Sequence, residues 1–298
     1  MMISLKQLSY AVAAGETLHF KQAAEQCNVS QSTFSTGLAE LEKQLGVQIF
    51  ERDNKKVLVT PLGAEVLERA RTILLQATDL QQLADSRKAP LNYPLSVGVI
   101  PTIAPYLLPK MLPHLQQTYP QAQLNIVEEQ SHELVHRVRT GSIDTAILAL
   151  PYPHEGLLNL EFWQEDFYWV ALKGARHTEQ TSITSNELDP SDLLLLQEGH
   201  CLKDHILDAC KLPQPPSNHG FGASSLNTII QMVLGKMGTT LIPAMALDQL
   251  SAQNESLSAV HLKESSPHRR IAFIFRPNYT RLSSIEALAE VCRYGLEH

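Results

Sequence analysis

The sequence predicts two domains of different class: an all-α head with a small two-strand wing over residues 1–60, and an α/β body over residues 91–298, joined by a long helix and hinge at 61–90. Three observations carry this. Short helical patterns crowd into the first 45 residues, a heptad-spaced apolar series begins at Val66, and strand and helix patterns alternate from Leu95 onward.

In the head, Leu5, Leu8, Val12 and Ala13 share one face of a first helix that Gly15 ends. Phe20 to Gln26 forms a second with Ala23 and Ala24 inward, Asn28-Val29 turns, and Ser30 caps a third helix running to Leu45. Phe34, Leu38, Leu41 and Leu45 make its apolar stripe, while Gln31, Ser32, Thr33, Ser35 and Thr36 stand opposite. Two short helices with a tight turn and a polar outer face have the shape of a helix-turn-helix that enters a major groove, although a plain three-helix bundle has the same pattern. Val47 to Thr60, with Arg52, Lys55 and Lys56, reads as a two-strand wing.

Thr60-Pro61 starts the long helix, a capping hydroxyl followed by a proline at the first position. Val66, Ala70, Ile73, Ala77, Leu80 and Ala84 repeat at four and three, a narrow seam suited to pairing with another copy; packing on the helix's own domain is the alternative. Asp85 to Pro94 is the expected hinge. In the body, strands are expected at 95–100, 124–128, 144–150, 166–172, 193–196, 239–242 and 270–275, and helices at 103–118, 132–140, 202–211, 225–236, 243–250 and 283–295. That alternation implies a parallel sheet.

Whole-chain figures exclude several classes. A chain of 298 residues, 44% hydrophobic and 18% charged, is globular and long for one core. No apolar run reaches the roughly 18 to 20 residues of a membrane span, and no charged stretch leads into an apolar signal core, so a cytoplasmic protein without a membrane partner is expected. Cys27, Cys201, Cys210 and Cys292 are too few and too unevenly spaced for a disulfide scaffold or a zinc site; no metal or cofactor is expected, and any thiol pairing is regulatory. The net charge of −7 lies wholly after residue 90, because the first part carries 10 Lys+Arg against 10 Asp+Glu. The head is thus only neutral, which says little for DNA by itself, since phosphate contact depends on where cations lie.

The stretch FKQAAEQCNVSQSTFSTGLAELEKQLGVQIFER resembles the LysR-type signature, with paired alanines, V-S-Q-S at the turn, L-E-x-x-L-G after the reading helix and F-E-R at the wing. The resemblance implies a winged helix-turn-helix head and a two-lobed, periplasmic-binding-protein-like effector domain, with lobes at about 91–163 plus 268–298 and at 164–267. The reading helix departs from the family in having Gly37, Ala39 and Glu40 where cations are common. Base contacts then fall to its polar residues and phosphate contacts to Arg52, Lys55 and Lys56.

Leu196 to Cys210 reads LQEGHCLKDHILDAC. Two cysteines nine apart are ordinarily small buried residues, but Cys201 should open a helix, where backbone N–H groups and the dipole favour a thiolate. GHCLKDHILDAC and IPTIAPYLLP at 100–109 resemble the peroxide-sensing members of the family. That resemblance implies a regulator rather than an enzyme, with Cys201 attacking hydrogen peroxide and Cys210 resolving it to a disulfide. Thr102, Ser131, His200 and Arg270 would hold the peroxide, Arg269 being the alternative to Arg270. As partners it implies an operator in double-stranded DNA, a second copy in a dimer or homotetramer, RNA polymerase and a cellular thiol reductant.

Plainer readings stand beside these: a helix cap for Thr102 and for Ser131, a surface ion pair for Arg270, and core for Cys27 and Cys292. Two other functions are open, a metabolite-sensing regulator with its effector in the interlobe cleft, and a thiol peroxidase, which would leave residues 1–60 without a purpose.

Overall fold

The computed structural model describes residues 3–53, 56–85, 89–212, 223–250 and 254–298. The chain divides into two compact units, Met1–Arg87 and Lys88–His298.

The first unit holds α1 (Leu5–Thr17), α2 (Phe20–Gln26), α3 (Gln31–Leu45), β1 (Phe50–Asp53), β2 (Lys56–Val59) and α4 (Pro61–Asp85). Caps set its boundaries. The Ser30 hydroxyl accepts from Thr33 N–H at the start of α3, Asn28 takes φ +53 in the turn before it, and Thr60 Oγ1 accepts from Gly63 N–H at 2.9 Å at the start of α4. Phe34, Leu38 and Leu41 are fully buried, as their spacing requires. Glu42 ties α3 to the wing, its Oε1 accepting from Ile49 N–H at 2.7 Å and Phe50 N–H at 3.1 Å.

The long helix packs on the head at its start and is exposed farther along. Leu67 and Ala70 are buried in the head core, and Gly15 of α1 lies so close that a Cβ there would stand 2.6 Å from Leu67 Cδ1. The first turns of the long helix therefore pack on the head. Farther along, the seam residues Ile73 and Leu80 are 45% and 69% exposed.

The second unit runs β3 (Leu95–Val99), α5 (Ala104–Thr118), β4 (Leu124–Glu128), α6 (Ser131–Thr140), β5 (Thr145–Leu150), β6 (Leu158–Glu165), β7 (Phe167–Leu172), β8 (Ser182–Ile183), α7 (Cys201–Cys210), α8 (Leu226–Leu234), β9 (Thr240–Pro243), α9 (Leu247–Leu250), β10 (Leu257–Leu262), β11 (Arg269–Phe275) and α10 (Leu282–Glu297). One sheet has the order β4-β3-β5-β11-β6 and the other β8-β10-β7-β9. The sheets are mixed, which corrects the parallel sheet expected: β3, β4 and β5 are parallel, but β11 runs antiparallel between β5 and β6. The cause is topological. The chain leaves the larger sheet between Glu165 and Phe167 and returns at Arg269, so β6 and β11 are crossing strands rather than members of the β-α-β series.

Other differences are local. Among the described residues, 193–196 make only single bridges, Leu193 to Thr239 and Leu196 to Ala223, and the helix expected at 243–250 is one short 3-10 turn followed by α9. Strands β6 and β10 were not expected. The side chains Glu161, Gln164 and Glu165 conceal β6 in the sequence.

Candidate peroxide pocket and DNA-reading face

Three backbone segments converge at the C-terminal ends of parallel strands, where open α/β sheets form their sites. Ile100-Pro101-Thr102 follows β3, Gln130-Ser131 opens α6 after β4, and Gly199-His200-Cys201 opens α7; together they line one small recess that is packed shut, with no room for a water molecule. Gly199 is needed there. It takes φ +94, a backbone conformation that residues with a Cβ rarely adopt.

Cys201 is the first residue of α7 and is 4% exposed. Burial pushes its thiol above the ordinary value, opposed by a hydrogen bond with the Ser131 side chain and by the Arg269 guanidinium. The thiolate expected from the helix start is thus outweighed by desolvation in this closed form. Thr102 and Ser131 are 3% and 2% exposed, and neither caps its helix: Ile103 and Gln130 hold those positions. His200, at the N-cap of α7, is buried, which holds its imidazole below the usual value and so neutral near pH 7.

Arg270 does not reach this pocket. Successive residues of β11 point to opposite faces, and Arg270 pairs with Glu161 at 2.6 Å with its side chain 43% exposed. Arg269 is the buried one, donating from Nη1 to Thr102 Oγ1 at 3.4 Å and from Nη2 to Thr102 O at 3.3 Å. Of the two arginines named in the sequence, Arg269 is therefore the one beside Thr102, and Arg270 makes the surface ion pair of the plainer reading.

Cys210 closes α7 with its thiol pushed up to about 12 by burial and then by Glu264. All four cysteines are free thiols. An unbroken helix from Cys201 to Cys210 separates their Cα atoms by about 13 to 14 Å, whereas a disulfide needs them within about 7 Å. Cys292 is buried in α10, and Cys27 is half-buried at the end of α2.

In the head, Gln31, Ser32, Thr33 and Thr36 are exposed on α3 and Ser35 is half-buried. The Ser32 and Thr33 hydroxyls already share hydrogen bonds with Ser30 Oγ, at 3.0 and 2.9 Å. Lys6 was not singled out in the sequence, because it lies 25 residues before Gln31. It nonetheless borders the same open concavity as Ser32, Thr33 and Thr36. Arg52 lies on β1 and Lys56 on β2; Lys55 lies outside the described residues.

The His132-Glu133-Leu134-Val135-His136 run of α6 has metalloprotease spacing, yet Glu133 is held by Arg137 at 2.7 Å. Among the described residues no group of three or more His, Cys, Asp or Glu could hold a metal ion. Among them, too, no helix is long and apolar enough to cross a membrane.

Residues 88–297 match the family described as the LysR substrate binding domain, and residues 5–64 match the bacterial regulatory helix-turn-helix protein, lysR family. The HTH-type transcriptional regulator EstR of Acinetobacter baylyi is 38% identical over 97% of this chain and 96% of its own. The DNA-binding transcriptional dual regulator OxyR of Escherichia coli is 33% identical over 99% and 96%. A solved full-length OxyR variant from Pseudomonas aeruginosa superposes with a TM-score of 0.81 at 36% identity, covering 98% of this chain and 95% of that one.

Proposed function

The chain belongs to the LysR family of helix-turn-helix regulators, and on that premise we propose that it is a DNA-binding transcription regulator that senses hydrogen peroxide at Cys201. The observation that carries the reading is the shared pocket: Thr102, Ser131, His200 and Cys201 line one small enclosed space with a guanidinium behind it. The likeness to proteins named OxyR supports the same reading.

The Cys201 thiolate attacks one peroxide oxygen; the S–O bond forms as the O–O bond breaks, and the departing hydroxide takes a proton to become water. The hydroxyls of Thr102 and Ser131 place the peroxide, and neutral His200 supplies a further N–H. Cys201 is left as sulfenic acid. The Cys210 thiolate then attacks that sulfur, an S–S bond replaces the S–O bond, and a second water leaves. Because α7 holds the two cysteines too far apart, it must unwind, and the rearranged segment alters contacts between copies on the operator. RNA polymerase reads the outcome, and a cellular thiol reductant resets it.

The test is a pair of variants with a promoter reporter and a sulfenic-acid probe. Cys201→Ser should lose the peroxide response, while Cys210→Ser should still form the sulfenic acid but no disulfide. A Cys201→Ser protein that still switched its promoter would overturn the reading.

A further inference from the structure

One turn along α7 from Cys201 lies His205, 3% exposed and unused by the chemistry above. Its Nε2 lies 2.9 Å from the carbonyl oxygen of Pro151. A carbonyl can only accept, so Nε2 carries the proton and donates; the buried Nδ1 has no hydrogen-bond partner among the described residues. Pro151 directly follows β5 of the larger sheet, whereas α7 lies between β8 and β9 of the smaller one. The bond therefore crosses from one lobe to the other. Arg269, Asp204 and Asp208 are the charged groups that act on this imidazole.

We propose that His205 is a positioning residue that keeps α7 wound by donating to Pro151 across the lobes, and so sets the rate of the disulfide step and not of the peroxide step. The proposal rests on the sensing role of Cys201. Attack on peroxide needs only the first residue of α7 and the pocket, which an intact helix presents. Disulfide formation needs more, because the Cys210 thiolate must reach the Cys201 sulfenic sulfur, forming S–S and expelling hydroxide as water. The backbone between them cannot unwind with His205 still fixed to Pro151, so that bond must break before the cysteines meet.

The experiment uses the full-length protein, hydrogen peroxide and rapid quenching, with sulfenic acid and disulfide counted separately by mass. His205→Met keeps the length of the side chain but no donor, and His205→Gln restores an N–H at similar reach. Loss of one such hydrogen bond should make the His205→Met disulfide step roughly threefold to tenfold faster, with sulfenic acid formation within about twofold of the parent and His205→Gln returned to the parent rate. The tie exists only in the reduced helix, so the disulfide's potential should also fall by about 14 to 30 mV for that same threefold to tenfold change. If His205→Met does not fold, His205→Asn, whose shorter amide leaves Pro151 out of reach, takes its place. An unchanged or slower disulfide step, or a Gln variant as fast as the Met variant, would overturn the positioning role and leave the sensing role standing. Absence of any Cys201 oxidation in the parent would overturn both.

Discussion

Arg269 Nε donates to Glu165 Oε1 at 2.6 Å, with the two side chains 0% and 1% exposed. Glu165 ends β6 and Arg269 begins β11, so this buried pair joins the two strands where the chain passes between its sheets. Glu165 Oε2 also accepts from Met245 N–H at 2.8 Å, and Arg269 reaches Thr102. Removing one partner of a buried pair leaves an uncompensated charge, at a cost of about 3 to 5 kcal/mol.

Arg269→Met and Arg270→Met should consequently behave differently. The first should slow Cys201 oxidation and lower the thermal midpoint of the body, while the second should change either by little, since an exposed pair contributes about 0 to 1 kcal/mol. Thermal melts and stopped-flow oxidation of both variants check this. Equal effects would return Arg270 to the site.

Thr102→Val and Ser131→Ala each remove one hydroxyl from the pocket. Loss of a transition-state donor costs about 2.7 to 4 kcal/mol in strong cases, so oxidation should slow by at least about tenfold in each, with the melting temperature changed by little for Ser131→Ala. Oxidation at the parent's rate would remove that residue from the site.

Oxidation should also accelerate with pH. Burial raises the Cys201 thiol above its ordinary value, so across neutrality the reactive thiolate is a minority whose share grows about tenfold for each pH unit. The rate should climb without levelling between about pH 6 and about pH 8. A plateau in that window would mean that the reacting form holds the thiolate at lower pH than the closed pocket does.

On DNA, Gln31→Ala should weaken operator binding by about 1 to 3 kcal/mol and leave random DNA unchanged, whereas Lys55→Ala should weaken both and flatten the salt dependence by about one unit. The position of Lys6 beside Ser32 and Thr33 adds Lys6→Ala to the second group. Titrations at several salt concentrations decide, and equal losses on both DNAs for Gln31→Ala would argue against base reading by that residue.

The exposed seam of α4 sets a further expectation. Leu80 is 69% exposed, so Leu80→Arg should reduce self-association with little loss of head stability. Sedimentation checks it; an unchanged oligomer would place the pairing surface elsewhere.

Local chemistry was legible before any tertiary structure: the Ser30 and Thr60 caps, the stripe of Phe34, Leu38 and Leu41, the start of α7 at Cys201, and the adjacency of His200 all depend on residues within a turn of one another. Thr102 and Ser131 were singled out only through the resemblance of their motifs. What the fold alone decided is set by long-range register. Strand alternation states that Arg269 and Arg270 point apart, but which faces inward depends on the pairing of β11 with β5 and β6. The closed pocket brings together residues from three segments about 30 and 70 positions apart in the chain, and burial there reverses the effect that a helix start alone would have on Cys201. The antiparallel crossing strands and the tie from His205 to Pro151, 54 positions away, have no signature in the local sequence, because each exists only once the two sheets have assembled.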